Sequence, residues 1–187
     1  LDKVKIYELQ ILIEIAQNQL LTAINTGLTV LEMLDVFLLE SLSSNPTIEE
    51  LENLPETREP LPKAALRILM AIFTPSYIGN PALLPKIIMT MVDLCIKYGN
   101  SPLAAYAYVV YGLLLCTGGQ DIELGYQFGQ LALKMLDKFN AVEVKCKVNN
   151  QFNAFIRHWK EHYERTLLPW LETIEIGLET GDLEFTG

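Results

Sequence analysis

The apolar positions along the chain fall mostly at helical spacing. Leu103 to Cys116 carries no charge at all, and Ile122 to Phe139 is amphipathic, with Thr117-Gly-Gly-Gln-Asp121 turning between them. Ser101 is suited to cap the first of these helices, with Pro102 in its first turn. Gly118-Gly119 can take up left-handed conformations at its end, and Asp121 caps the second helix. Asn140 offers a left-handed exit. A helix apolar on every side is one buried among neighbours, and 14 residues fall short of the roughly 20 that a membrane span needs.

The same reading extends in both directions. A first helix over Lys3–Gln17 has Ile6, Leu9, Ile13 and Ala16 on one stripe, and Asn18 breaks it. A second, Leu20–Glu40, has Ala23, Ile24, Gly27, Val30, Leu31 and Leu34 facing inward. Ser41–Leu61 is a connector holding a capping box, Thr47-Ile-Glu-Glu50, and is kept irregular afterwards by Pro55, Pro60 and Pro62. A third helix, Lys63–Phe73, stops at Thr74-Pro75, and a fourth starts at Asn80-Pro81 and ends at Gly99. After the central hairpin come a seventh helix, Val142–Arg165, and an eighth, Pro169–Thr180, closed by Gly181. Val148, Phe152, Phe155, Trp159 and Tyr163 form the expected core stripe of the seventh. The fold class is all-α, about eight helices in antiparallel hairpins stacked as a tetratricopeptide-like α-solenoid, one domain over residues 1–187.

An internal repeat supports the array. Ala23–Phe37 aligns with Gly125–Phe139 with six identities, including Gly27 with Gly129 and Asp35 with Asp137. The offset of 102 residues is three times the ~34-residue tetratricopeptide period. Gly125, Gly129 and Ala132 lie on one helix face and would admit a close neighbour, while Tyr108, Tyr111, Gly112 and Leu115 loosely follow the large and small pattern of that motif.

Charge narrows the partners. The chain has a net charge of −9, so phosphate backbones repel it and nucleic acid is not expected to bind. Six glutamates against one arginine put −5 of this in the connector and its edge, either a solvated insertion or an acidic contact for a basic partner. Cys95, Cys116 and Cys146 have no metal-ligand spacing and read as core fillers of a cytoplasmic protein. A start at Leu1 and a stop at Gly187 suggest a piece of a longer chain.

No phosphate-binding loop, kinase triplet or nucleophile elbow is present. His158-Trp-Lys-Glu-His162 matches the HxxEH pattern of inverted zinc peptidases, but a third ligand would be needed from the few residues downstream, and Glu161 lies about opposite the expected core stripe. A zinc hydrolase is therefore the remote alternative, and no catalytic, metal or cofactor residue is assigned. The candidate binding residues are Asn149, Asn153, Arg157 and Lys160, a polar stripe at i+4 and i+3 steps that could grip an extended peptide or a carboxylate.

Several blocks resemble one family: Ala16-Gln-Asn-Gln-Leu20, Asn80-Pro-Ala-Leu-Leu-Pro85, Ile96-Lys-Tyr-Gly-Asn-Ser-Pro102, Phe155-Ile-Arg-His-Trp-Lys-Glu-His162 and Gly177-Leu-Glu-Thr-Gly-Asp182. Together they resemble the helical-repeat region of very large bacterial signalling kinases. In that family a Ser/Thr kinase comes first, then an AAA/STAND ATPase, helical repeats, a GAF domain and often a histidine kinase. The resemblance implies a non-catalytic interaction and regulatory segment whose partners are proteins or peptides, neighbouring domains of the same chain included. ATP and magnesium belong to other domains of such a parent. The alternative it leaves open is the sensor array of a STAND-type transcription regulator.

Overall fold

The computed structural model describes residues 2–118, 121–162 and 164–180. They are all-α, with ten α-helices and no β-strand among them. No helix among them is long and apolar enough to cross a membrane. The chain forms two compact units, Leu1–Asn45 with Pro55–Gly99, and Pro46–Leu54 with Asn100–Gly187.

The first unit holds α1 (Asp2–Ala16), α2 (Leu20–Met33), α4 (Pro60–Ala71), α5 (Phe73–Gly79) and α6 (Leu84–Tyr98). Asn18, at φ 58°, ends α1 as expected: the amides of Asn18 and Gln19 donate back to Ile15 and Glu14 carbonyls in a Schellman closure. Asp35, at φ 56°, closes α2 in the same way, with the Val36 amide donating to the Leu31 carbonyl. The second helix therefore stops at Met33 and not at Glu40. The run after it is fastened to α6 by the Leu39 amide on Thr90 Oγ1 and the Ser43 amide on Asp93 Oδ1, each at 3.0 Å.

The inward face of α2 is the one the pattern gave, with Ala23, Ile24, Gly27, Val30 and Leu31 buried. That of α1 is not. Val4 and Ile11 are buried, whereas Ile6, Leu9, Ile13 and Ala16 are exposed. Apolar residues occupy both sides of α1, so periodicity alone could not choose between them. Pro60 and Pro62 open α4 instead of keeping the connector irregular, because a proline in a first turn lacks only an amide that would be unbonded anyway. Pro75 likewise sits in the first turn of α5, a helix the pattern missed. Gly99, at φ 93°, ends α6 where expected, and its α-carbon faces the Pro55 carbonyl too closely for a side chain.

The second unit holds α3 (Ile48–Glu52), α7 (Ala104–Thr117), α8 (Ile122–Phe139), α9 (Val142–Gln151) and α10 (Glu164–Thr180). The capping box of α3 is formed, with the Thr47 amide on Glu50 Oε2 at 2.7 Å and the Glu50 amide on Thr47 Oγ1 at 3.2 Å. This acidic helix is packed on α8 and not left in solvent. Lys134 Nζ meets Glu52 Oε2 at 2.7 Å, Lys138 Nζ donates to the Glu52 carbonyl, and Leu51 is buried. Asn100, fully buried, donates to the Leu51 carbonyl at 2.7 Å and accepts the Tyr108 hydroxyl at 2.6 Å.

The α7–α8 hairpin is the centre of this unit. Residues 104–110 of α7 are buried all round. Asp121 caps α8, accepting from the Leu124 amide at 2.9 Å, and Asn140 leaves it left-handed at φ 46°. Two cap assignments fail. Ser101 is buried with no partner for its hydroxyl, while Leu103 occupies the cap position, because Pro102 and Leu103 turn before the helix starts. Gly118 is right-handed, and Gly119 lies outside the described residues. The two helices touch backbone to backbone: a Cβ on Gly112 would stand 2.6 Å from the Gly125 carbonyl oxygen. Gly129 admits something else. A Cβ there would meet the Phe152 ring at 2.5 Å.

The single seventh helix expected over Val142–Arg165 is broken. After α9 the chain widens into a π-helical stretch, Phe152–Ile156, tightens into a 3-10 turn, Arg157–Trp159, and then leaves the helix. One extra residue in a turn advances every later side chain by about 100°. The expected stripe is accordingly split: Val148 and Phe152 are buried, but Phe155 and Trp159 are 47% and 46% exposed. Tyr163 and the Gly181 terminator lie outside the described residues. The last helix begins at Glu164, five residues before Pro169, which it contains.

The three cysteines are buried and form no disulfide with one another. Burial pushes the Cys95 thiol up to about 12.

Candidate functional site

The polar residues singled out on the seventh helix lie where the π-helical stretch meets α8. Phe152 seats its ring on Gly129, and this fixes the wide turn beside Tyr126, whose ring centroid is 5.9 Å away. The next turn of backbone delivers Arg157. Its guanidinium lies 5.9 Å from the centre of the Phe152 ring, a cation–π distance. Nη1 donates to Asn153 Oδ1 at 3.1 Å, and Nε pairs with Glu161 Oε1 at 3.0 Å. The Tyr126 hydroxyl donates to the same carboxylate oxygen at 2.8 Å.

Burial pushes the Glu161 carboxyl up, but the Tyr126 and Arg157 bonds outweigh it and hold the group below its ordinary value. Burial, and then the bond to Glu161, push the Tyr126 phenol up. The cluster thus holds an ionised carboxylate, a cation and a neutral phenol, already satisfied by one another. It clamps an irregular segment to α8. Neither Glu161, paired to a guanidinium, nor Tyr126, held protonated, is poised as a general base.

The four candidate residues fare differently. Asn153 is buried and Arg157 half-buried, and both are engaged in the clamp. Lys160 is exposed and pairs with Glu123, whose carboxyl is held low by that lysine. Asn149 is half-buried on α9. The structure brings Asn153 and Arg157 into contact; Lys160 reaches across to α8 instead. Sequence reasoning missed Tyr126 and Glu123, which lie 35 and 37 residues from their partners, and read Glu161 only as part of HxxEH. No local pattern carries a signal for such pairs.

The two histidines do not share a helix face. His158 stands in the 3-10 turn, exposed, with its ring centroid 5.2 Å from that of Trp159. His162 follows the break, and its Nδ1 accepts from the Glu164 amide at 3.4 Å. Glu161 points into the clamp. No group of three or more His, Cys, Asp or Glu side chains able to hold a metal lies among the described residues.

No protein-family model matches the chain, and no solved structure matches it. Over 125 residues, 63% of its length, the chain is 28% identical to the hybrid signal transduction histidine kinase G of Dictyostelium discoideum. The matched part is 4% of that protein, so the similarity covers only a small share of its length.

Proposed function

We propose that the chain is a non-catalytic interaction and regulatory segment, tetratricopeptide-like in build, of a multidomain signalling kinase with Ser/Thr or histidine kinase modules elsewhere. The observation that carries this reading is the 28% identity to a short share of a hybrid histidine kinase. The clamp supports it, because its charged groups are consumed in holding a helical surface. The edge assigned to a protein or peptide partner comprises Asn149 and Lys160, with Asn153 and Arg157 setting its shape. A partner carboxylate would compete with Glu123 for Lys160, an exchange of one exposed pair for another.

The test uses the purified chain and its parent. The chain alone is expected to bind no ATP and transfer no phosphate, and autophosphorylation of the purified chain would overturn the assignment. In the parent, Lys160→Glu is expected to change either kinase output or partner capture while leaving the helical content of the chain intact. Parent kinases indistinguishable in both readouts would remove this edge from the proposal.

A further inference from the structure

α3 is carried on an arm of the chain. Pro46–Leu54 belongs to the second unit, yet the sequence on either side of it, Leu1–Asn45 and Pro55–Gly99, belongs to the first. The helix on this arm, Ile48–Glu52, has five residues. Isolated helices shorter than about 12–15 residues are marginal in water, so docking and not propensity holds this one. Residues 43–45 before it and Asn53 after it are exposed.

The start of α3 is self-made and its end is not. The Thr47–Glu50 box satisfies the first turn from within. The last carbonyls are met by the surface that receives the helix: Asn100 Nδ2 donates to that of Leu51 and Lys138 Nζ to that of Glu52, both at 2.7 Å. Any helix ending at this place offers the same carbonyls, so selection comes from side chains. Leu51 is the seated anchor, 1% exposed, with Ile48 half-buried one turn before it. Glu52 pairs with Lys134 Nζ at 2.7 Å. Lys134 and Lys138 are exposed four residues apart on α8; Asp137 is exposed there too, so the match rests on these specific bonds and not on a broad basic patch.

We infer that this face of α8 is a docking site for short acidic helices, and that α3 is its occupant in cis. The partner it fits is a peptide segment of the same chemistry: a Ser or Thr cap with Glu three residues on, a leucine after that Glu, and a carboxylate after the leucine. Such a segment folds as it binds, laying its apolar face into the groove. The tethered arm competes at an effective concentration of about a millimolar, so α3 holds the site closed against weak ligands and yields it to strong ones. The site is separate from the Lys160 edge, and neither depends on the other.

The test is fluorescence anisotropy of a labelled peptide of residues 45–54 titrated with the 187-residue chain. Leu51→Ala with Glu52→Ala unseats the arm, and this variant is expected to bind the peptide about tenfold tighter than the parent chain, whose own arm competes. Adding Lys134→Glu with Lys138→Glu is expected to weaken that binding about tenfold, and a peptide carrying Glu52→Lys to recover part of it. Should the unseated variant lose helicity, hydrogen exchange on the parent chain carries the test. Its amides over Ile48–Asn53 are expected to exchange ahead of those of α8, and faster still as unlabelled peptide is added. Equal binding by parent and unseated chains overturns the proposal, as does binding indifferent to reversal of the two lysines. So do arm amides as protected as those of α8 and unmoved by peptide. A parent chain that sediments as a dimer through exchanged arms also overturns it, by making a second copy the occupant.

Discussion

Gly112→Ala is the sharpest test of how the central hairpin is held. Alanine is the better helix former by about 1 kcal/mol, so propensity alone predicts stabilisation. The structure predicts the reverse. The new methyl would lie 2.6 Å from the Gly125 carbonyl oxygen, 3.2 Å from the Gly129 amide and 3.2 Å from Phe128 Cβ. Two of these are backbone atoms of α8, which cannot rotate aside as a side chain can. The helices must separate locally by about 1 Å, and a gap of that size forfeits up to half of each dispersion contact along the seam. Overpacking of this kind costs about 1–3 kcal/mol, and a backbone obstacle argues for the upper end. Setting the propensity gain against it leaves a net loss of about 2 kcal/mol, or about 4–8 °C in melting temperature. Urea unfolding followed by circular dichroism measures it. Gly79→Ala is the control, since its methyl would meet nothing closer than Leu20 Cβ at 3.4 Å, and it is expected to stay within about 0.5 kcal/mol of the parent. Gly125→Ala should cost a similar amount to Gly112→Ala, and the double variant less than the sum, because helices already parted admit the second methyl cheaply. A Gly112→Ala chain as stable as the parent would refute backbone contact at this crossing.

Three further outcomes follow from particular contacts. Asn100→Ala should destabilise by about 1–3 kcal/mol in the same assay, because it removes the side-chain donor to the Leu51 carbonyl and the acceptor of the buried Tyr108 hydroxyl together; a loss under 1 kcal/mol would mean that the network is open to water. Trp159→Ala should change stability by under about 1 kcal/mol, and not by the ~3–5 kcal/mol of a core aromatic, since the ring is 46% exposed; a large loss would return it to the core. Burial raises the Asp93 carboxyl, but bonds from Lys97 and Ser43 outweigh it and hold the group below its ordinary value. A depressed carboxylate adds stability above its unfolded-state pKa and loses it as pH falls through the folded one, so Asp93→Asn should flatten the acid limb of the stability profile, and an unchanged limb would refute the role of this pair.

The chain's own residues determined its class and its punctuation. Helical spacing of apolar residues, the Thr47 capping box, Asp121 at the start of α8 and left-handed Asn18 and Asn140 are local chemistry, satisfied within a few residues, and so are readable before folding. The inner face of α2 was readable for the same reason, since one side of it alone is consistently apolar. The structure decided what depends on distant partners. Which apolar side of α1 is buried is set by the helices packed on it. The widening at Phe152 is set by Gly129, which leaves room for a ring from another helix, and the change of phase that follows moved Phe155 and Trp159 outward and joined Arg157 to Glu161 and Tyr126. Spacing along a chain cannot express contacts between residues tens of positions apart, and those contacts turned a presumed open polar stripe into a largely self-satisfied clamp.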